Sequence, residues 1–389
     1  MSALRVRAYN VRFGDALLVS IPERDGGREV TRHMLIDMGN VLSSEGGDDS
    51  VFEPVMRDIL EVLDGAPLSL YVMTHEHLDH VQGLLYASDK LGLKLPGVER
   101  AWITPSAEPG YYDSHPEAKR SLELASARYL AARRHFNALE GSEEVPPSVR
   151  AMLANNDALL ADGGSSKTQA CVDFLATLTP QTSYVHVGHG HSAPHPFVEA
   201  TLHIWGPEED TAAYYGRFDA ARLQPLPSSE GREAPPLPPP GVDAGAFYNL
   251  VNARRRGYFD NLLAIDKAAN DTSVVICIEW HGWRLLFPGD AEERAWRTMD
   301  ARGLLEPVHF YKVGHHGSHN GTPEADILDK ILPVSPPDER PRRAVVSTCE
   351  NTYNNVPDEA TLEGLRIRCE VTSTLGLKDG AYIDFEFEA

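Results

Sequence analysis

From Arg5 to Ile21 apolar and polar positions first alternate and then run together at Ala16-Leu17-Leu18-Val19, which predicts two short strands joined at Gly14-Asp15. His33 to Asp37 predicts a third strand, closed by Met38-Gly39, and Val51 to Leu63 carries apolar residues at helical spacing. Leu68 to Met73 is an apolar run of strand length that stops at a cluster of histidines, and Asp79 to Leu91 reads as a helix. Strand, polar loop, helix is the order in which open α/β sheets hold ligands, beyond the carboxyl end of a strand.

The second half repeats this alternation. Thr201 to Trp205 reads as a strand, Ser273 to Trp280 and Trp283 to Phe287 as a hairpin around His281-Gly282, and Ala291 to Arg302 as a helix. Val308 to Val313, Ala344 to Ser347, Cys369 to Thr372 and Ala381 to Phe387 follow as strands, with a short helix at Glu359 to Leu365. Between the halves, residues 106–180 read as a helical insertion, with one long helix from Pro116 to Leu139 and another from Val145 to Leu160. Residues 225–245 are proline-rich, as an extended loop would be. Because candidate chemistry lies on both sides of that loop, residues 1–389 are expected to form one domain. Two halves of strands then helices suit an α/β fold of four layers, two sheets inside and helices outside.

Composition narrows the class of function. With 36 Lys and Arg against 57 Asp and Glu, the formal net charge is -21. Such a surface repels phosphate backbones and anionic membranes at long range, so general duplex nucleic-acid binding is not expected. A metal-lined cleft can still admit a small or single-stranded anion, because a bound cation dominates the local charge. Cys171, Cys277, Cys349 and Cys369 form no CxxC pair and read as free thiols of a reducing compartment. No stretch approaches a membrane span and the start lacks a signal-peptide core, so a cytoplasmic protein is expected.

Three strand ends carry the candidate chemistry. His75, His77, Asp79 and His80 follow the Leu68–Met73 strand within six residues, and imidazole with carboxylate suits zinc, manganese or iron. Histidines two apart on extended backbone point the same way, so His75 and His77 can grip one ion while Asp79 and His80 grip a second. Asp290 follows an apolar strand and Gly289, where one carboxylate can bridge two cations. Lys312-Val313-Gly314-His315-His316-Gly317-Ser318-His319 ends a third strand. There His315 is the expected ligand, His316 a supporting partner or proton donor, and His319 a loop residue. Lys312 and Ser318 are candidates for holding an anionic substrate. A further cluster, His186, His189, His191 and His195, reads as a glycine- and proline-rich surface loop, with the alternative that it supplies a ligand missing from the first metal site.

These signals, in this order, resemble the metallo-β-lactamase superfamily, whose HxHxDH pattern stands here as His75-Glu76-His77-Leu78-Asp79-His80. The stretch from Asn10 to Val19, Leu35-Ile36-Asp37-Met38-Gly39, Phe287-Pro288-Gly289-Asp290-Ala291-Glu292 and His315-His316-Gly317-Ser318 look like the ComEC-type competence metallohydrolase branch. Ser347, Asn351, Tyr353 and Pro357 sit where that branch has the same residue types. The chain departs from the superfamily where many members carry a further histidine. Here Asn270-Asp271-Thr272-Ser273 occupies that place, and Asn270 is a candidate to complete the first site or contact substrate.

The resemblance implies the metallo-β-lactamase fold and two divalent metal ions, zinc first, with manganese or iron as alternatives. It implies a hydrolase that cleaves phosphodiester bonds, as a nuclease or nucleotide phosphodiesterase, with a metal-activated hydroxide oriented by Asp79. Two other readings compete: a thioester or lactone hydrolase, and a metal-binding regulatory module whose insertion meets a partner.

Overall fold

The computed structural model describes residues 3–41, 49–139, 145–160, 166–214, 244–349 and 356–389. Within them the chain is α/β, with two mixed sheets and ten α-helices.

The first sheet has seven strands. Its centre is β1 (Ala3–Tyr9), β2 (Leu17–Asp25) and β3 (Arg28–Ile36), which pair antiparallel. β4 (Leu68–Met73), β5 (Val98–Ile103) and β6 (Thr182–Tyr184) continue it in parallel from β3. The last strand of the chain, β13 (Tyr382–Glu388), returns to pair with β1. The second sheet has six strands in the order β12 (Glu370–Ser373), β11 (Arg343–Val346), β10 (Phe310–Lys312), β9 (Trp283–Phe287), β8 (Val275–Trp280) and β7 (Ala200–Gly206). Its first four are parallel and its last two antiparallel.

The sheets pack face to face through alternate residues. Val6, Val19, Met34, Leu70, Val72 and Trp102 from one meet Leu202, Ile204, Ile276, Leu285, Phe310 and Val345 from the other. The intervening residues point outward, and helices cover them. α1 (Phe52–Leu63), α2 (Leu78–Lys90) and α6 (Lys167–Ala176) lie against Leu68, Tyr71 and Met73. α8 (Glu293–Ala301), α9 (Ala325–Ile331) and α10 (Glu359–Arg366) cover Val275, Cys277, Leu286 and Tyr311. A strand covered on both faces has no reason to alternate, which is why Leu68–Met73 is a continuous apolar run and all six residues are buried.

The stretch expected to be an insertion divides. Its last helix, α6, belongs to the layer over the first sheet. The short α3 (Tyr111–Ser114), long α4 (Pro116–Leu139) and α5 (Pro147–Asn155) lie outside it. α4 and α5 share a separate core, Tyr129, Phe136, Val149 and Met152 with Leu262 and Ile265, with a helix the sequence pattern did not announce: α7 (Ala244–Asn270). Residues 225–243 of the proline-rich stretch lie outside the described residues, and 244–245 open α7. The helix expected over Val145–Leu160 ends at Asn155 and gives way to a 3-10 turn at Asp157–Leu159.

Candidate metal centre

Parallel strands put their carboxyl ends on one side, and five of those ends meet here. β3 delivers Asp37, β4 delivers Thr74 to His80, β9 delivers Asp290, β10 delivers His315 and His316, and β11 delivers Ser347. Two glycines make the approach possible. A Cβ on Gly39 would lie 2.2 Å from the Asp79 carbonyl carbon, so only glycine lets the loop after β3 press on the Asp79 backbone. Gly289 has φ +58°, and a Cβ there would lie 2.9 Å from Thr74 Cβ and 3.0 Å from Ser273 Cβ.

Asp79, His80, Asp290 and His316 are buried, and each offers one ligand atom within 4.8 Å of the others. They form the only such group of three or more His, Cys, Asp or Glu side chains among the described residues. His80 Nε2 lies 3.2 Å from Asp290 Oδ2 and 4.0 Å from Asp79 Oδ1; His316 Nε2 lies 3.4 Å from Asp79 Oδ2 and 3.6 Å from Asp290 Oδ2. The atoms crowd without bonding one another well: Asp79 Oδ1, His80 Nε2 and His316 Nε2 are buried with no hydrogen-bond partner among the described residues. Buried polar atoms are rarely left unpaired. Atoms that face a shared point rather than each other are arranged as ligands of a cation are.

The outer nitrogens of these rings are anchored. His80 Nδ1 lies 2.7 Å from Asp37 Oδ2, and His316 Nδ1 donates to the Ser347 carbonyl at 3.0 Å. Each anchor places a ring proton on Nδ1 and turns Nε2 inward, the usual support behind a metal-binding imidazole, from which a bound cation would displace any second proton. Asp37 is held in turn by the Thr74 amide at 2.8 Å and the Thr74 hydroxyl at 2.6 Å. Asp290 accepts from the His315 amide at 3.0 Å, and its own amide donates to Ser273 Oγ at 3.0 Å.

His75 and His77 flank this group. Their ring centroids are 4.7 Å apart at an interplanar angle of 68°, and the His75 ring is 4.2 Å from that of His80; neither belongs to the converging group. His75 Nδ1 rests 3.0 Å from Thr74 Oγ1, and its buried Nε2 has no partner among the described residues. His77 Nε2 lies 3.3 Å from Asn156 Oδ1 and 3.8 Å from Asp266 Oδ1.

The charges follow from these neighbours. Burial, then the neighbouring His80 and His77, hold His75 well below the ordinary histidine range, so it stays neutral. Burial also opposes charge on His80, but Asp290 and Asp37 outweigh it and raise its pKa well above that range. For Asp290 and Asp79, burial likewise opposes ionisation, and the surrounding histidines overcome it: both carboxyls titrate below their ordinary range.

Three expectations need correction. His315 was the expected ligand and His316 its support; it is His316 that joins Asp79, His80 and Asp290, although the buried His315 Nδ1 also lacks a hydrogen-bond partner among the described residues. Both adopt left-handed backbone, with φ 45° and 55°, and this double turn drives the His316 ring inward against Phe13, centroids 4.1 Å apart. His315 keeps its Nδ1 3.3 Å from Glu292 Oε1, which with Asp290 outweighs burial and lifts its pKa to about 9. Lys312 does not face a cleft. Its Nζ is 2.6 Å from Asp15 Oδ2, with both side chains 1% exposed, and it also donates to the Val313 carbonyl. A buried ammonium already paired has no charge to offer a substrate. Ser318 Oγ accepts from the Gly321 amide at 3.1 Å and so closes its own turn.

Asn270 does reach the region. Its Nδ2 donates to Glu292 Oε1 at 2.9 Å, and its buried Oδ1 has no partner among the described residues. His186 and His189 pack against each other, ring centroids 4.2 Å apart, and His195 lies beside Trp102 and Phe197. No described contact joins this cluster to Asp79, His80, Asp290 or His316. Asn351 and Tyr353 lie outside the described residues.

Sequence reasoning missed the anchors. Asp37 ends an apolar strand as Asp290 does, and that shared pattern was a usable signal. Asn156 and Asp266 sit in segments with no motif, and no sequence signal pointed to them. No helix of the described residues is long and apolar enough to cross a membrane. No protein-family model matches the chain, and no curated protein matches it.

Proposed function

We propose that the chain is a metal-dependent hydrolase of the metallo-β-lactamase superfamily, acting on phosphodiester bonds of small or single-stranded substrates. The observation that carries this reading is the convergence of buried, unpartnered ligand atoms of Asp79, His80 and His316, beside Asp290, from three separate strand ends. The donor set, two imidazoles and two carboxylates, fits zinc and accommodates manganese or iron. The neighbouring His75, neutral and with its own free Nε2, fits the second of two ions that the sequence resemblance implies.

A divalent cation held there supplies a Lewis acid and a nucleophile from water at neutral pH. The chain's residues do the rest. Asp79 Oδ1 is free to accept a hydrogen bond from water and so to orient it. Asp37 and the Ser347 carbonyl keep His80 and His316 in the ligating tautomer. The choice of phosphodiesters rests on the ComEC-type motifs, and the net charge of -21 favours a substrate too small to feel the whole surface.

The test is hydrolysis of bis-p-nitrophenyl phosphate by purified protein with and without added zinc or manganese. Metal-dependent release of nitrophenol supports the reading. Thiol release from a thioester with no phosphodiester cleavage would move the substrate class, and silence on both would remove the enzyme.

A further inference from the structure

His80 and His316 are anchored through Nδ1, and His77 is anchored the other way round. Its Nε2 lies 3.3 Å from Asn156 Oδ1, and the orientation of that amide is fixed by what stands behind it. Asn156 Nδ2 donates at 2.9 Å to the Met152 carbonyl and at 2.8 Å to Asp266 Oδ1. Both partners of the amide nitrogen are acceptors. Turning the amide over would set its oxygen against a carbonyl and a carboxylate, and its NH2 against the His77 ring. The oxygen therefore faces His77, and an oxygen without a proton requires a donor opposite it. His77 must carry a proton on Nε2, and in the neutral ring Nδ1 is then left with the lone pair. His77, Asn156 and Asp266 are 3%, 4% and 3% exposed, so water does not compete for these bonds.

We propose that Asn156 and Asp266 are positioning residues of the metal centre, a two-step relay that locks His77 as the Nε2–H tautomer, opposite to that of His80 and His316. Asn156 follows α5 and Asp266 lies on α7, two helices that share a core with α4 outside the sandwich layers. The helical unit is thereby wired to the HxHxDH loop through one imidazole. This deepens the proposed function and rests on it only where metal is concerned, since the tautomer is a property of the protein alone.

The experiment reads both. In protein labelled with 15N-histidine, long-range 1H–15N correlation distinguishes the tautomers, and His77→Gln identifies the resonance. His77 is expected as Nε2–H and His80 and His316 as Nδ1–H or doubly protonated. Asn156→Ala should mix the His77 tautomers and weaken zinc binding, measured against a chelator, by about 10–100-fold. Asp266→Asn keeps an acceptor for the Asn156 amide and should preserve the tautomer, while Asp266→Ala should not. A purely structural role would lower the melting temperature and leave tautomer and zinc affinity of the folded protein unchanged, and that result overturns the proposal. So does His77 found as Nδ1–H in the unmodified protein, a measurement that needs no variant to fold. If the unmodified protein binds no zinc, the hydrolase reading fails while the tautomer still decides the relay.

Discussion

Single residues at this centre divide into those that face the shared point and those that hold them there. Lys312 belongs to neither. Its pairing with Asp15 neutralises two buried charges, and Asp15 is tied to the centre by its amide, which donates to the Asp79 carbonyl at 3.1 Å. Removing one partner strands the other charge in the interior. Lys312→Met is therefore expected to destabilise the fold by about 3–5 kcal/mol in urea unfolding, and adding Asp15→Asn should recover most of it. A stable Lys312→Met protein with only a raised KM would instead make Lys312 a substrate contact. Asp271 gives a pH signature. Burial, then the charge of Glu292, raises its pKa to about 7. A carboxyl raised on folding binds more protons folded than unfolded, so its contribution is fully present below the ordinary Asp range and is lost as pH rises toward 7. Asp271→Asn can still accept from the Glu292 amide and does not ionise. Its stability relative to the parent should increase from pH 5 to pH 7 and then level off, as read from urea midpoints across that range. A difference independent of pH would contradict the assignment.

At the scale of elements, most strands and the long helix α4 were legible, while the short strands β5 and β6 and the cap helix α7 were not. A strand buried on both faces writes a continuous apolar run, as Leu68–Met73 does, and its carboxyl end then announces the site. The ligand types were equally legible, because histidine and aspartate after such a run have few other uses. Which of His315 and His316 turns inward was not, since it depends on two consecutive left-handed residues that no side-chain pattern encodes. α7 was hidden for a different reason. Its sequence mixes Asn249, Asn252 and Gly257 among apolar residues, and its helical state depends on packing against α4 and α5 rather than on local pattern. Leu262 lies at the centre of that packing, fully buried. Leu262→Ala should cost about 2–5 kcal/mol, and because α7 carries Asp266 and Asn270 into the centre, zinc affinity should fall with it. Loss of stability with unchanged zinc affinity would show that the cap is energetically separate from the site. The turn after β9 offers a sharper probe. Gly289→Ala places a Cβ against Thr74 and Ser273 in left-handed backbone, so a lower melting temperature and a displaced Asp290 are expected, seen as weakened metal binding.

For the whole molecule, charge and architecture pull in different directions. The centre lies where two sheets bring their strand ends together, while the chain as a whole carries a formal net charge of -21. Repulsion between that surface and an anionic substrate is screened by salt. If single-stranded oligonucleotides are substrates, kcat/KM for them should rise with ionic strength, while that for an uncharged ester should not change. A rate that falls with salt would mean a basic track guides the substrate, against the charge argument. Everything else about function depends on whether the four converging side chains hold a metal that works. The most direct measurement is metal content by mass spectrometry on protein purified without chelator, beside Asp79→Ala and Asp290→Ala, each assayed on bis-p-nitrophenyl phosphate. About one equivalent or more of zinc or manganese, with metal and activity lost together in both variants, is the expected result. Protein that is folded, stays without metal when zinc, manganese or iron is supplied, and shows no hydrolysis would contradict the account.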